Sequence, residues 1–204
     1  VRKMRASILI LGPLLARFGE VKISLPGGCA IGTRPIDIHL EGLKKLGANF
    51  VVENGYVIGR VKEQLIGSHI PLPFPSVGAT ENIMMAATIT KGKTIIENAA
   101  LEPEISDLAR SLNKMGAKIK IEKNGIIKIE GLKKLTKANH KIMSDRIVAG
   151  TFVIAAVMLN KNFEVQEVES CHLEALTSSL KEMGAKLKIK KNSIQIIPSK
   201  NLNG

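Results

Sequence analysis

Cys29 and Arg34 are the residues of this sequence best placed to do chemistry. They share the stretch Ser24-Leu25-Pro26-Gly27-Gly28-Cys29-Ala30-Ile31-Gly32-Thr33-Arg34-Pro35, where three glycines and two prolines surround one thiol and one guanidinium. Gly-Gly lets the backbone reach positive φ and move. The second proline suits the first turn of a helix, where its missing N–H costs nothing. The pattern therefore predicts a loop that delivers Cys29 to a helix N-terminus with Arg34 beside it. A helix N-terminus and a nearby cation both favour a thiolate and a bound anion. A thiol so placed can act as acid or nucleophile. Read plainly, Cys29 is a small inert loop residue.

The elements that must position this loop come from a repeat. Leu43-Lys44-Lys45-Leu46-Gly47-Ala48 recurs as Leu112-Asn113-Lys114-Met115-Gly116-Ala117 and as Leu180-Lys181-Glu182-Met183-Gly184-Ala185, with the alanines 69 and 68 residues apart. Each Gly-Ala follows an amphipathic helix, and the glycine is the expected C-cap. An alternating strand follows each time (49–53, 118–122, 186–190), then a turn at Asn54-Gly55, Asn124-Gly125 or Asn192-Ser193, then a second strand (56–61, 126–130, 194–198). Asn-Gly between alternating runs is a hairpin signal. Upstream lie an apolar helix of small residues (4–17, 79–90, 147–159) and a strand (21–25, 94–97, 163–168), with a short leading strand at 68–72 and 140–143 before the last two copies. The unit is β-α-β-α-β-β, so the fold class is α/β. The first copy lacks its leading strand, and the sequence reads as a chain cut within a larger fold. Between its landmark Gly19 and Ala48 it is four residues longer than the second copy between Gly92 and Ala117, and the extra residues fall in the Cys29 stretch. A loop lengthened in one copy alone points to function.

Composition narrows the classes. The 204 residues are 45% hydrophobic and 3% aromatic, with no Trp, so the core is aliphatic. Two cysteines without a Cys-x-x-Cys argue against a disulfide framework and fit a reducing cytoplasm. The longest apolar runs, 147–159 and 8–16, are too short to span a bilayer. The net charge of +12 admits nucleic acid or small anions as partners. Single-strand binders use aromatic platforms, and with one Tyr and five Phe the scattered lysines read as a solvated surface. No phosphate loop, dinucleotide fingerprint or metal-spaced His/Cys/carboxylate cluster stands out.

Other candidates are Arg5, which on an apolar helix needs a partner or an anion unless it snorkels from the helix end. Ser76 is an N-cap candidate, and Gly78 would let a phosphate approach the free N–H groups after it. Asp37 suits the dipole of the helix after the loop, and His39 alone reads as structural. Glu102 and Glu104 around Pro103 read as helix-start residues. The polar connection before Asp145-Arg146 marks a boundary or hinge at 132–145.

Together these residues resemble the UDP-N-acetylglucosamine enolpyruvyl transferase family. The resemblance runs over nearly the whole chain. It is carried by Met4-Arg5-Ala6-Ser7-Ile8-Leu9 through Arg17, by Leu25 to His39, by Ser76-Val77-Gly78-Ala79-Thr80, and by Glu97-Asn98-Ala99-Ala100 with Glu102-Pro103-Glu104. It implies an inside-out α/β barrel of such repeats, here incomplete: residues 1–131 as the last two units of the domain with the catalytic loop, 132–145 as the crossover, and 146–204 as the first unit of the second domain. It implies transfer of the enolpyruvyl group of phosphoenolpyruvate to the 3′-hydroxyl of UDP-N-acetylglucosamine, a step of peptidoglycan synthesis, with no cofactor, metal, nucleic acid or membrane involved. Cys29 would be the proton donor to the methylene carbon. Arg34 and Arg5 would bind anions, and Arg34, Pro35, Ile36, Asp37, Ile38, Ser76, Val77 and Gly78 would contact the nucleotide sugar. Two positions depart from the family: Phe74-Pro75 precede Ser76 where a lysine is usual, and Leu101 stands where an arginine is common. A Lys-Asn pair that grips phosphoenolpyruvate and an aspartate base have no match here, so the expectation is a chain inactive alone, complemented by another polypeptide carrying the missing flanks. The alternatives are a non-catalytic nucleotide-sugar-binding or assembly module and the sister shikimate 3-phosphate enzyme, which lacks the Cys-bearing loop. RNA 3′-phosphate cyclases share such units but need a histidine motif that is absent.

Overall fold

The sequence repeat is a repeat of sheet order. A computed structural model describes residues 4–27, 36–199 and 202 of the chain. In the first copy β1 (Glu20–Ser24), β2 (Ala48–Glu53) and β3 (Tyr56–Val61) form an antiparallel sheet in the order β1-β3-β2. In the second, β4 (His69–Pro71), β5 (Lys93–Glu97), β6 (Lys118–Ile121) and β7 (Ile127–Glu130) lie in the order β4-β5-β7-β6, with β4 parallel to β5. In the third, β8 (Phe163–Gln166), β9 (Lys186–Lys190) and β10 (Ser193–Ile197) repeat the first order as β8-β10-β9. The three hairpins form, the third turning at Lys191-Asn192 rather than Asn192-Ser193, since Ser193 already pairs in β10. Asn54 and Gly55 both take positive φ, 50° and 76°, the backbone a two-residue turn between twisted strands requires. Gly47, Gly116 and Gly184 end the three amphipathic helices at φ of 102°, 96° and 94°, where a side chain would be strained.

Those helices are α2 (Asp37–Lys45), α4 (Pro103–Lys114) and α6 (Glu174–Glu182). The small-residue helices are α1 (Leu11–Phe18), α3 (Val77–Ala87) and α5 (Arg146–Met158). The chain divides into two compact units, Val1–Lys141 and Ile142–Gly204. In the first, α3 packs against α1, α2 and α4. Its Ala79, Thr80, Ile83, Met84, Ala86 and Ala87 are all buried, so it is wrapped on every side and needs no polar face. Strands turn alternate residues to this helical interior and to solvent, as β5 does with Thr94 and Ile96 inward and Lys93 outward. In the second unit α5 lies over β8 and β10, with Val153, Ala156, Val157, Ile194 and Ile196 in a separate core. The lysines sit on the outer faces of the sheets, where Lys118 meets Glu130 at 3.3 Å and Lys128 meets Glu122 at 2.9 Å.

Three expectations change. Residues 5–10 form a 3-10 helix, Arg5–Ile10, before α1 begins. Pro13 explains it: the ring crowds the carbonyl four residues back and removes an N–H, so the α ladder cannot run through to Arg5. Residues 140–143 form no strand. His140 instead turns its Nε2 to Asp107 Oδ2 on α4, 3.0 Å away. The start of the connection is held on the first unit, with Leu132 N–H donating to Thr88 O at 2.9 Å and Thr136 N–H to Met115 O at 2.8 Å. Finally, the Glu102 side chain makes no cap hydrogen bond, and Pro103 occupies the first position of α4.

Candidate functional site

The start of α3 is a half-buried bundle of donors with no carboxylate in its first turn. Ser76 is the N-cap, with Oγ accepting from Ala79 N–H at 3.4 Å, and the first turn holds no acidic residue. The N–H groups of Val77 and Gly78 are beyond the reach of any carbonyl of the helix. They open onto a cavity of about 640 Å³ lined by Arg5, Ile8, Leu9, Ile38, His39 and the 74–78 segment. A helix N-terminus and a guanidinium on one cavity make an anion site.

His39 completes the lining. It is buried, and its pKa is lowered to about 4, first by burial and then by the Arg5 charge, against a smaller opposing pull from Asp37. The imidazole is therefore neutral at physiological pH. Its tautomer follows from Asn82, a fully buried residue of α3. Asn82 Oδ1 accepts from Gly12 N–H at 2.7 Å, so its Nδ2 is the donor, reaching Ile8 O at 3.0 Å and His39 Nδ1 at 3.1 Å. With Nδ1 accepting, the proton sits on Nε2. That edge faces the α3 start: a Cβ added to Gly78 would lie 3.1 Å from His39 Cε1 and 3.4 Å from Nε2. Gly78 is thus where the imidazole and the helix start come closest.

Of the residues marked in the sequence, Arg5, Ile38, Ser76, Val77 and Gly78 come together around this cavity. Ile36 packs at the margin of the core, and Asp37 is exposed at the first turn of α2, so neither lines it. Cys29, Arg34 and Pro35 lie outside the described residues. The segment that carries them connects directly to α2, whose Ile38 and His39 are in the lining. Phe74, where a lysine was the expectation, also lines the cavity, so its rim is apolar there. Sequence reasoning underrated His39 and did not single out Asn82. A polar amide inside the small apolar run of α3 was the available signal. It also singled out no metal-spaced cluster, yet Glu169, Cys171 and His172 bring their donor atoms within 4.8 Å of one another.

A second hollow of about 490 Å³ lies on the β5–β7 sheet. Lys118 and Lys128 there are already paired with Glu130 and Glu122, and no helix start is among its lining residues.

Comparison with known proteins places this architecture. The sequence profile of the EPSP synthase (3-phosphoshikimate 1-carboxyvinyltransferase) family matches residues 1–204. A UDP-N-acetylglucosamine 1-carboxyvinyltransferase 1 of Caldanaerobacter subterraneus subsp. tengcongensis is 52% identical over 201 residues, covering 98% of this chain and 48% of the relative. Its namesake in Halalkalibacterium halodurans is 51% identical over 197 residues, covering 97% of this chain and 45% of that protein. The chain therefore spans about half the length of these curated relatives. Among solved structures, the enolpyruvyl transferase NikO from Streptomyces tendae superposes with a TM-score of 0.80 at 19% identity, over 94% of this chain and 47% of NikO. An EPSP synthase from Acinetobacter baumannii gives a TM-score of 0.69 at 23% identity, over 98% of this chain and 47% of that one. These last two likenesses are likenesses of fold.

Proposed function

The chain belongs to the EPSP synthase (3-phosphoshikimate 1-carboxyvinyltransferase) family, and from that premise we propose that it forms the nucleotide-sugar and acid-loop wall of an enzyme transferring the enolpyruvyl group of phosphoenolpyruvate to UDP-N-acetylglucosamine. The observation that carries this reading is the convergence of an uncompensated helix start, Arg5 and a neutral Nε2–H of His39 on one cavity. A diphosphate has the charge and the acceptor oxygens this set would satisfy. The N–H groups of Val77 and Gly78 bind its oxygens, Arg5 supplies counter-charge, and His39 donates one hydrogen bond without adding a proton equilibrium near pH 7. Asn82 acts through His39 by fixing its tautomer. Ile38 bounds the pocket, and Ile36, Asp37 and Pro35 contact the nucleotide from the α2 approach.

Cys29 is the acid. Protonating the methylene carbon of phosphoenolpyruvate leaves an oxocarbenium-like centre that the sugar hydroxyl attacks, losing its own proton; phosphate then leaves together with one proton of the new methyl group, which restores the C=C bond of the enolpyruvyl ether. Arg34, five residues on in the sequence, holds the anionic substrate. The acceptor hydroxyl must lose a proton, and no residue of the described cavity is a base placed to take it. The base and the remaining phosphoenolpyruvate-binding groups belong to sequence beyond these 204 residues, supplied by a complementing polypeptide if not by the same one. Residues 146–204 open the second domain. The reaction is cytoplasmic.

Phosphate release from phosphoenolpyruvate plus UDP-N-acetylglucosamine tests the reading. The 204-residue chain alone should give no turnover while binding UDP-N-acetylglucosamine, and Arg5→Ala should weaken that binding about tenfold or more, the scale of a charge-assisted hydrogen bond. Turnover abolished by Cys29→Ala would keep the chemistry and overturn the missing base. Turnover with shikimate 3-phosphate in place of the nucleotide sugar would overturn the substrate.

A further inference from the structure

The second unit carries a group of metal-ligating side chains that the enolpyruvyl chemistry does not use. Glu169, Cys171 and His172 fall within four residues, on and just before a 3-10 turn, Ser170–Leu173. Their ligand atoms all lie within 4.8 Å of one another, and His172 Nε2 is 3.4 Å from Glu169 Oε2. In a tetrahedral zinc site with bonds of about 2.0–2.3 Å, neighbouring ligand atoms stand roughly 3.3–3.8 Å apart. The carboxylate and imidazole are already at that spacing, and the Cys171 sulfur lies within 4.8 Å of both.

The turn is held in place independently of any ligand. Ser170 N–H donates to Lys191 O at 3.2 Å and its Oγ reaches the same carbonyl at 3.3 Å, tying the turn to the β9–β10 hairpin. His172 N–H closes back on Glu169 O at 2.9 Å, and Leu173 is buried in the core of the unit. Backbone order of this kind lowers the cost of bringing three ligands together. Cys171 is exposed, so an ion can reach the site and a water can fill the fourth position.

We propose that Glu169, Cys171 and His172 bind one soft or borderline divalent cation of the zinc class through thiolate, imidazole and carboxylate. The donor set decides the class. Thiolate with imidazole favours zinc, cobalt or cadmium over magnesium or calcium, which take oxygen ligands. Binding forms the metal–sulfur bond and releases the thiol proton to solvent, so occupancy rises with pH. The carboxylate and thiolate together cancel the charge of the ion, which matters in a chain of net charge +12.

Cobalt(II) titration of the full chain tests this directly, because a thiolate ligand gives an ultraviolet sulfur-to-cobalt charge-transfer band and tetrahedral geometry gives intense visible bands. The expected result is one equivalent bound per chain, with both sets of bands displaced by zinc. Cys171→Ser should lose the charge-transfer band, and Glu169→Gln and His172→Ala should each weaken binding about tenfold or more. Cys29→Ser should leave the charge-transfer band and the cobalt affinity as they are. Zinc should also slow alkylation of Cys171 in the unmodified chain, a readout that needs no variant to fold. Absence of the charge-transfer band, its survival in Cys171→Ser, or its loss in Cys29→Ser would overturn the assignment.

Discussion

Helices α3 and α5 occupy the same place in the repeat and begin differently. At α5 the cap is Asp145, whose Oδ1 accepts from Ile147 N–H at 2.9 Å and Val148 N–H at 3.0 Å. At α3 the cap is Ser76, neutral, and it takes only the third N–H, that of Ala79, at 3.4 Å. Asp145 satisfies its helix start with the chain's own anion. Ser76 leaves two N–H groups and the helix dipole facing a cavity with Arg5 on it. Their flanks differ too. Helix α3 is wrapped by α1, α2 and α4, whereas α5 exposes Ile147 at 62%, Phe152 at 54% and Met158 at 75%. One repeat element thus begins with free donors at a cavity, where we propose an anion binds, and the other is a capped helix with an open apolar face.

The largest expected effect probes the packing half of that contrast. A Cβ at Gly12 would lie 2.4 Å from the backbone oxygen and from Oδ1 of Asn82, with no flexible end to move aside. A Cβ at Gly150 on α5 meets only the tips of Leu176 and Leu173, at 3.1 and 3.4 Å. Gly12→Ala should therefore cost about 3 kcal/mol in a urea melt, and Gly150→Ala less than about 1 kcal/mol. Equal costs would break the comparison.

Acid should act on the first unit through His39. Its folded pKa is about 4 against an ordinary 6.5. Between those values the unfolded chain takes up a proton that the folded imidazole refuses. Stability is therefore whole above about pH 6.5 and falls as the pH drops toward 4, by up to about 3 kcal/mol. His39→Gln should flatten urea midpoints across that window.

A smaller effect lies in the connection. Asp107 and His140 are both largely buried, and Asp107 also receives Arg110 at 2.9 Å. His140→Ala should cost about 2 kcal/mol, the worth of a hydrogen bond to a charged group. Hydrogen exchange should quicken along residues 137–141 while the sheets stay protected.

The smallest stability change is expected on the open face of α5. Phe152→Lys should alter stability by under about 0.5 kcal/mol, as exposed substitutions do. It should still reduce self-association in sedimentation, because an exposed apolar patch drives it.

Much of the fold was legible because its signals are local. Glycine C-caps and alternating strands act within a few residues and repeat three times, and Asn-Gly turns mark two of the three hairpins. What escaped the sequence was set by distant partners or by one residue's covalent shape. Pro13 turns an apparent long helix into a 3-10 segment followed by α1. His140 forgoes a strand for Asp107, 33 positions away. Half of the candidate site was readable too: Arg5, Ser76 and Gly78 announce themselves by type and place. The role of His39 was not, since its tautomer depends on Asn82, 43 positions along the chain, and neither residue means anything without the other.

The cap is the most direct place to test the account. Ser76→Asp gives α3 the cap that α5 already has. Calorimetric titration of UDP-N-acetylglucosamine into the 204-residue chain and into this variant should show binding to the first and a loss of about tenfold or more in the second. The melting temperature of the variant should be unchanged or higher, since an aspartate caps as well as a serine. Undiminished binding to Ser76→Asp, or no binding to the unmodified chain, would contradict the assignment of the α3 start as the diphosphate site.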